Sequence, residues 1–146
     1  MNRLLLLCLT MLWTWPALAA AEGPVEVWRS PTCQCCGAWV KHLEKNGFAV
    51  KVSAATPSML DRIKRQAGIG ESLEACHTAK IGPYVIEGHV PAADIERLLS
   101  ERPDALGLAV PGMPVGSPGM EQGDKTEPYD VLLIKKDGTT EVFARH

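Results

Sequence analysis

The stretch Val25-Glu26-Val27-Trp28-Arg29-Ser30-Pro31-Thr32-Cys33-Gln34-Cys35-Cys36-Gly37-Ala38-Trp39-Val40-Lys41-His42-Leu43 decides the fold. Val25 to Trp28 alternates apolar and polar and stops at Ser30-Pro31, so it reads as a strand running into a turn. Cys36, Trp39, Val40 and Leu43 then stand at i, i+3, i+4 and i+7, the apolar face of a helix that Asn46-Gly47 terminates. Between strand and helix lie three cysteines in four residues. Unpaired backbone N–H groups and the helix dipole at that point favour thiolate over thiol.

Working outward, Phe48 to Val52 reads as a second strand. Thr56-Pro57 reads as an N-cap followed by proline, opening a helix whose buried stripe is Met59, Leu60, Ile63 and Ala67. Residues 68 to 81 are read as irregular, carrying Cys76-His77. Tyr84-Val85-Ile86 is a short strand, Glu87-Gly88 its turn and His89-Val90 its return. Pro91 opens a helix with Ala92, Ile95, Leu98 and Leu99 on its apolar face. The order β-α-β-α-β-β-α places residues 25 to about 101 in a two-layer α/β domain. Gly107 to Gly123 holds five glycines and three prolines, with Met113 and Met120 among them, and reads as non-regular structure. Tyr129 to Lys135 and Thr140 to Arg145 flank Asp137-Gly138, a hairpin signal. One hairpin is too small to stand alone, so residues 105–146 are expected to be an extension of a domain at 20–104.

At the other end, Met1-Asn2-Arg3, the apolar run Leu4 to Trp13 and Ala17-Leu18-Ala19 have the form of a cleavable export signal over residues 1–19. That run is too short to span a bilayer, so no membrane anchor is expected after cleavage. Export is the expected outcome. Cleavage removes Cys8 and leaves Cys33, Cys35, Cys36 and Cys76 in a compartment that permits disulfides. With 15 Lys and Arg against 17 Asp and Glu, and pI near 6.1, nucleic acid is not an expected partner. A monomer is expected.

Four cysteines in an exported chain ordinarily form two structural disulfides. A bridge within Cys33–Cys36 closes a very short loop, which loop-closure models credit with the least stabilisation. Three sulfurs on one helical turn therefore read as a site. Thiolates select Cu(I), zinc or iron–sulfur clusters. Zinc normally takes two separated ligand pairs, and export into an oxidising space disfavours iron–sulfur. Cu(I) accepts low coordination and bridging thiolates, so several ions can share these sulfurs. Met113 and Met120 are soft thioethers in a loop that no apolar period explains, and His77 and His89 are candidate nitrogen ligands. His42, on a polar helix face, and terminal His146 are expected to be solvated; Trp28 and Trp39 are expected in the core. A metal-free alternative uses Cys33 as attacking thiolate and Cys36 as resolving thiol in thiol–disulfide exchange. A non-catalytic copper store or chaperone would use the same ligands as a copper oxidoreductase.

The element order with a C-x-x-C at the first helix resembles the thioredoxin fold, with Pro83 at the position of that fold's cis-proline. Thr32-Cys33-Gln34-Cys35-Cys36-Gly37, Cys76-His77-Thr78, Glu87-Gly88-His89-Val90-Pro91 and the run from Pro111-Gly112-Met113-Pro114 to Gly116-Ser117-Pro118-Gly119-Met120 resemble the periplasmic CopG-type copper-resistance proteins. That resemblance implies a thioredoxin-like protein with a sulfur-bridged multinuclear copper site that changes the oxidation state of copper. Its sulfur ligands would be Cys33, Cys35, Cys36 and Cys76. Met113 or Met120 would approach from the extension, with His77 and His89 as nitrogen candidates. A copper efflux system or a periplasmic redox partner is the implied associate.

Overall fold

The computed structural model describes residues 23–146; the export signal expected over residues 1–19 lies outside them. Strand β1 (Val25–Arg29) leads into helix α1 (Gln34–Lys45), followed by β2 (Val50–Ala54), α2 (Pro57–Gln66), a one-turn 3-10 helix (Glu71–Leu73), β3 (His77–Ile81), β4 (Tyr84–Glu87), α3 (Ala92–Glu101), β5 (Ala105–Ala109), β6 (Asp130–Lys135) and β7 (Thr140–Arg145). The strands form one seven-stranded mixed sheet in the order β2-β1-β3-β4-β5-β6-β7. β1 runs parallel to β2 and β4 parallel to β5; the other neighbours are antiparallel.

Residues adjacent along a strand point to opposite faces, and two apolar clusters result. The larger holds Val25, Val27, Ala79, Ile86 and Leu108 under Trp39 and Leu43 of α1 and Ile95 and Leu98 of α3. The smaller, on the other face, gathers Ile69, Leu73, Ala109 and Ile134, with Ala67 from the end of α2 against it. The α/β class holds, and the layering is richer than two because helices cover both faces.

Local departures from the expected elements have identifiable causes. Met59 is 45% exposed; α2 turns Leu60 and Lys64 inward instead, because Lys64 meets a buried carboxylate from β4. Residues 77–81, read as irregular, are strand β3, and Gly82-Pro83 rather than Glu87-Gly88 makes the hairpin turn to β4. Pro83 is exposed and sits at the end of β3 remote from Cys76, and no cis peptide occurs among the described residues. The residue entering β3 on the cysteine side is Cys76 itself. The glycine-rich stretch is strand as far as Ala109; β5 lies between β4 and β6 and is apolar throughout, buried at every position but Leu106, so it shows no polar alternation. Trp39 is fully buried as expected, its Nε1–H donating to the Val90 carbonyl at 2.9 Å; Trp28 is only half-buried.

Neither His42 nor His146 is merely solvated. His42 Nε2 accepts the Ala92 amide at 3.1 Å and so caps α3, whose first residues follow a proline that offers no capping side chain. His146 Nε2 lies 2.8 Å from Asp94 Oδ2, and its ring stacks on Tyr129, pinning the C-terminus to α3.

Candidate metal centre

The turn after β1 is held by Arg29, whose Nη1 donates to the carbonyls of Ser30 at 3.0 Å and Cys33 at 3.1 Å. That clamp sets Cys33 at the N-cap of α1, where its sulfur accepts the Cys36 amide at 3.3 Å. Cys35 and Cys36 occupy the first turn. Cys33 and Cys36 form a disulfide with a Cα–Cα distance of 5.4 Å, and Cys35 and Cys76 are free thiols. Cys35 Sγ is 3.5 Å from Cys33 Sγ and 3.9 Å from Cys76 Sγ, so the four sulfurs form one group.

Two imidazoles close the far side. The Gly88 turn, at φ +73°, folds the chain so that His89 returns over His77; a Cβ at Gly88 would meet Ala75 and the Val110 carbonyl. His77 and His89 meet edge to face with centroids 5.0 Å apart. His89 Nδ1 lies 2.8 Å from the Pro118 carbonyl, which can only accept, so Nδ1 carries the proton and Nε2 presents its lone pair to Cys76 Sγ at 3.1 Å. His77 Nδ1 is 3.3 Å from the same sulfur, and its buried Nε2 has no partner among the described residues. Cys76, His77 and His89 thus form a second group that shares Cys76 with the first.

Burial governs the charges. It pushes the Cys76 thiol up to about 12, with the Cys35 sulfur adding to the effect. Burial takes His77 down to about 3, helped by His89, and lowers His89 as well. The group of Cys76, His77 and His89 is therefore neutral without metal: a protonated thiol between two uncharged imidazoles. A cation that replaced the thiol proton would find sulfur and nitrogen donors in place, a soft, mixed donor set that suits copper.

The extension reaches this centre. Gly119 carries φ +90°, and a Cβ there would lie 2.7 Å from the Cys35 carbonyl oxygen and 2.8 Å from the Trp39 amide nitrogen, so the loop lies directly on α1. Met120 shares with Cys35 the lining of an open cleft of about 340 Å³, which Glu121 borders. Met113 is half exposed on the loop surface. The structure thus groups Cys33, Cys35, Cys36, Cys76, His77 and His89 and sets Met120 in the cleft beside Cys35, while Met113 follows Gly112, whose amide donates to the Glu74 carbonyl two residues before Cys76. Sequence reading missed the Pro118 carbonyl, Gly119, and the buried pair Lys64 and Glu87. A lysine four residues after Leu60 was the available sign of that pair.

Comparison with known proteins agrees. A family model described as "Protein of unknown function, DUF411" matches residues 73–120, from the 3-10 helix through Cys76, His77 and His89 to Met120. No curated protein matches. The solved structure named "Copper resistance protein copG- Form 1" is 45% identical over 84% of this chain and 96% of that chain, with a TM-score of 0.79. "Copper resistance protein copG- Form 2" is 44% identical over 85% of this chain and 99% of that one, at 0.78. Identity at that level over nearly the whole of both solved chains leaves one conclusion: the chain belongs to the CopG family of copper resistance proteins.

Proposed function

We propose that this protein binds copper as cargo and substrate in copper resistance, holding several ions on Cys33, Cys35, Cys36 and Cys76 and interconverting Cu(I) and Cu(II). The observation that carries this reading is the convergence of four sulfurs and two imidazoles on one centre in a chain whose solved relatives are named for copper resistance. Thiolates favour Cu(I) and imidazole tolerates Cu(II), so a mixed set leaves both states accessible. Each interconversion moves one electron per ion, exchanged with a redox partner outside the chain. The export signal read in residues 1–19 and the Cys33–Cys36 disulfide support a periplasmic setting.

The residues have distinct tasks in this reading. Cys33 and Cys36 supply thiolates only when their disulfide is reduced. Cys76 bridges the sulfur side and the imidazole side. The Pro118 carbonyl fixes the His89 tautomer, so that Nε2 faces the centre. Met120 stands at the cleft beside Cys35 as a candidate thioether ligand.

The test is to load reduced protein anaerobically with Cu(I), oxidise it stepwise and follow absorption and electron paramagnetic resonance. Sulfur-to-copper charge-transfer bands and a Cu(II) signal that reverse on reduction are expected. Bound Cu(I) that never changes state would leave a store or chaperone. A second reading has its own observation: the Cys33–Cys36 disulfide sits at a helix N-terminus with a free thiol 3.5 Å away. Thiol–disulfide exchange that survives Cys35→Ser and Cys76→Ser, without copper, would favour it.

A further inference from the structure

Lys64 and Glu87 are an ion pair taken almost wholly out of water, the Glu87 side chain fully and the Lys64 side chain to within 5%. Apolar residues of similar size commonly replace such a pair with no loss of stability, so stability alone does not account for it. What else Glu87 holds does. Its Oε1 accepts the Ala75 amide at 2.7 Å, and its Oε2 accepts the Thr78 hydroxyl at 2.7 Å. Lys64 Nζ also donates to Thr78 Oγ1 at 3.1 Å. Ala75 and Thr78 flank Cys76-His77, and Glu87 stands two residues before His89. One carboxylate therefore grips the chain on both sides of two members of the centre, from the strand that delivers the third.

We propose that Glu87 is a positioning residue for Cys76, His77 and His89, acting through the Ala75 amide, with Lys64 holding the carboxylate in place. The proposal rests on reading these three as copper ligands. Partners that orient metal ligands typically change metal affinity by about 10- to 100-fold when removed. A residue whose role was only to support the fold would leave affinity unchanged once stability was restored.

Two double variants separate these roles. Lys64→Met with Glu87→Leu removes the charges and the acceptor together. Lys64→Met with Glu87→Gln removes the same charges but keeps a side-chain carbonyl for the Ala75 amide. Cu(I) affinity is measured by competition with a chromophoric chelator, and thermal unfolding is recorded for both. The Leu variant leaves the Ala75 amide and the buried Thr78 hydroxyl without their acceptor, so it is expected to unfold at a lower temperature than the Gln variant while staying folded at the assay temperature, and to bind Cu(I) about tenfold or more weakly; the Gln variant is expected to bind close to wild type. Equal affinities in two folded variants would overturn the proposal. Hydrogen exchange at the Ala75 amide of the metal-free wild type tests the contact without copper or substitution. Protection is expected, and exchange at the rate of an open loop would overturn the proposal whatever the variants do. If the wild type binds no copper, the functional reading fails while the exchange result still stands.

Discussion

Gly119 offers the sharpest perturbation of the link between the extension and the centre. Its φ of +90° costs a residue with a Cβ about 1 kcal/mol. The added Cβ would also press on the Cys35 carbonyl oxygen at 2.7 Å and the Trp39 amide nitrogen at 2.8 Å. Both atoms are helix backbone and cannot rotate aside, so overpacking adds about 1–3 kcal/mol. Gly119→Ala should therefore lose about 2–4 kcal/mol, and the melting temperature should fall by about 10 °C. Gly112→Ala is the control, since Gly112 has φ +70° with nothing within 4 Å of the added Cβ. Its loss should be the backbone strain alone. Thermal unfolding of both variants reads the difference, and the His89 Nδ1–H resonance reports whether the Pro118 carbonyl still holds the ring. Equal melting temperatures with an unchanged His89 resonance would refute the close approach and the docking built on it.

Further outcomes follow from the same geometry. His77 titrates near 3 when folded against an ordinary 6.5, so between these values the unfolded chain binds a proton that the folded chain does not. The metal-free protein should therefore lose up to about 1.4 kcal/mol per pH unit from this residue as pH falls below 6.5. Burial shifts His42 and His89 in the same direction and raises Glu87, which opposes them, so the test is a shallower stability–pH slope in His77→Phe between pH 6.5 and 5. Protein with the Cys33–Cys36 disulfide intact should take up less copper than reduced protein when both are equilibrated against one Cu(I) buffer. Trp39→Phe leaves the buried Val90 carbonyl without its donor and should lower the stability measured by denaturant by about 1–3 kcal/mol.

Most of the first half of the fold was legible because local signals there agree with one another. Val25 to Trp28 alternates, Thr56-Pro57 caps, and Cys36, Trp39, Val40 and Leu43 share a face that the core buries. Legibility failed where tertiary context supplies the order. β3 has no period-2 pattern, because His77, Thr78 and Ala79 are all buried, facing the centre, the Lys64–Glu87 pair and the core. β5 is apolar throughout and buried at every position but Leu106, so it shows no polar alternation, and its Gly107 begins the glycine-rich run that continues as loop. Lys64 was not singled out in the sequence, because the partner that buries it is 23 residues away.

The cysteine cluster was plain in the sequence because its spacing is local. What Cys76 meets was not, since His89 reaches it only through the Gly88 turn and the Pro118 carbonyl only through the returning loop. Met113 and Met120 share one loop and one chemistry in sequence. Only the approach of Gly119 to α1 separates the one beside Cys35 from the one at the surface.

The central claim is that the sulfurs of Cys33, Cys35, Cys36 and Cys76 serve together as one copper site. Elemental analysis of protein reduced and loaded with Cu(I) without oxygen, with a parallel count of free thiols, tests it most directly. More than one copper per chain is expected, with the reactive thiols masked on loading and the copper content reduced in Cys35→Ser. At most one copper per chain, unchanged in Cys35→Ser, would contradict it.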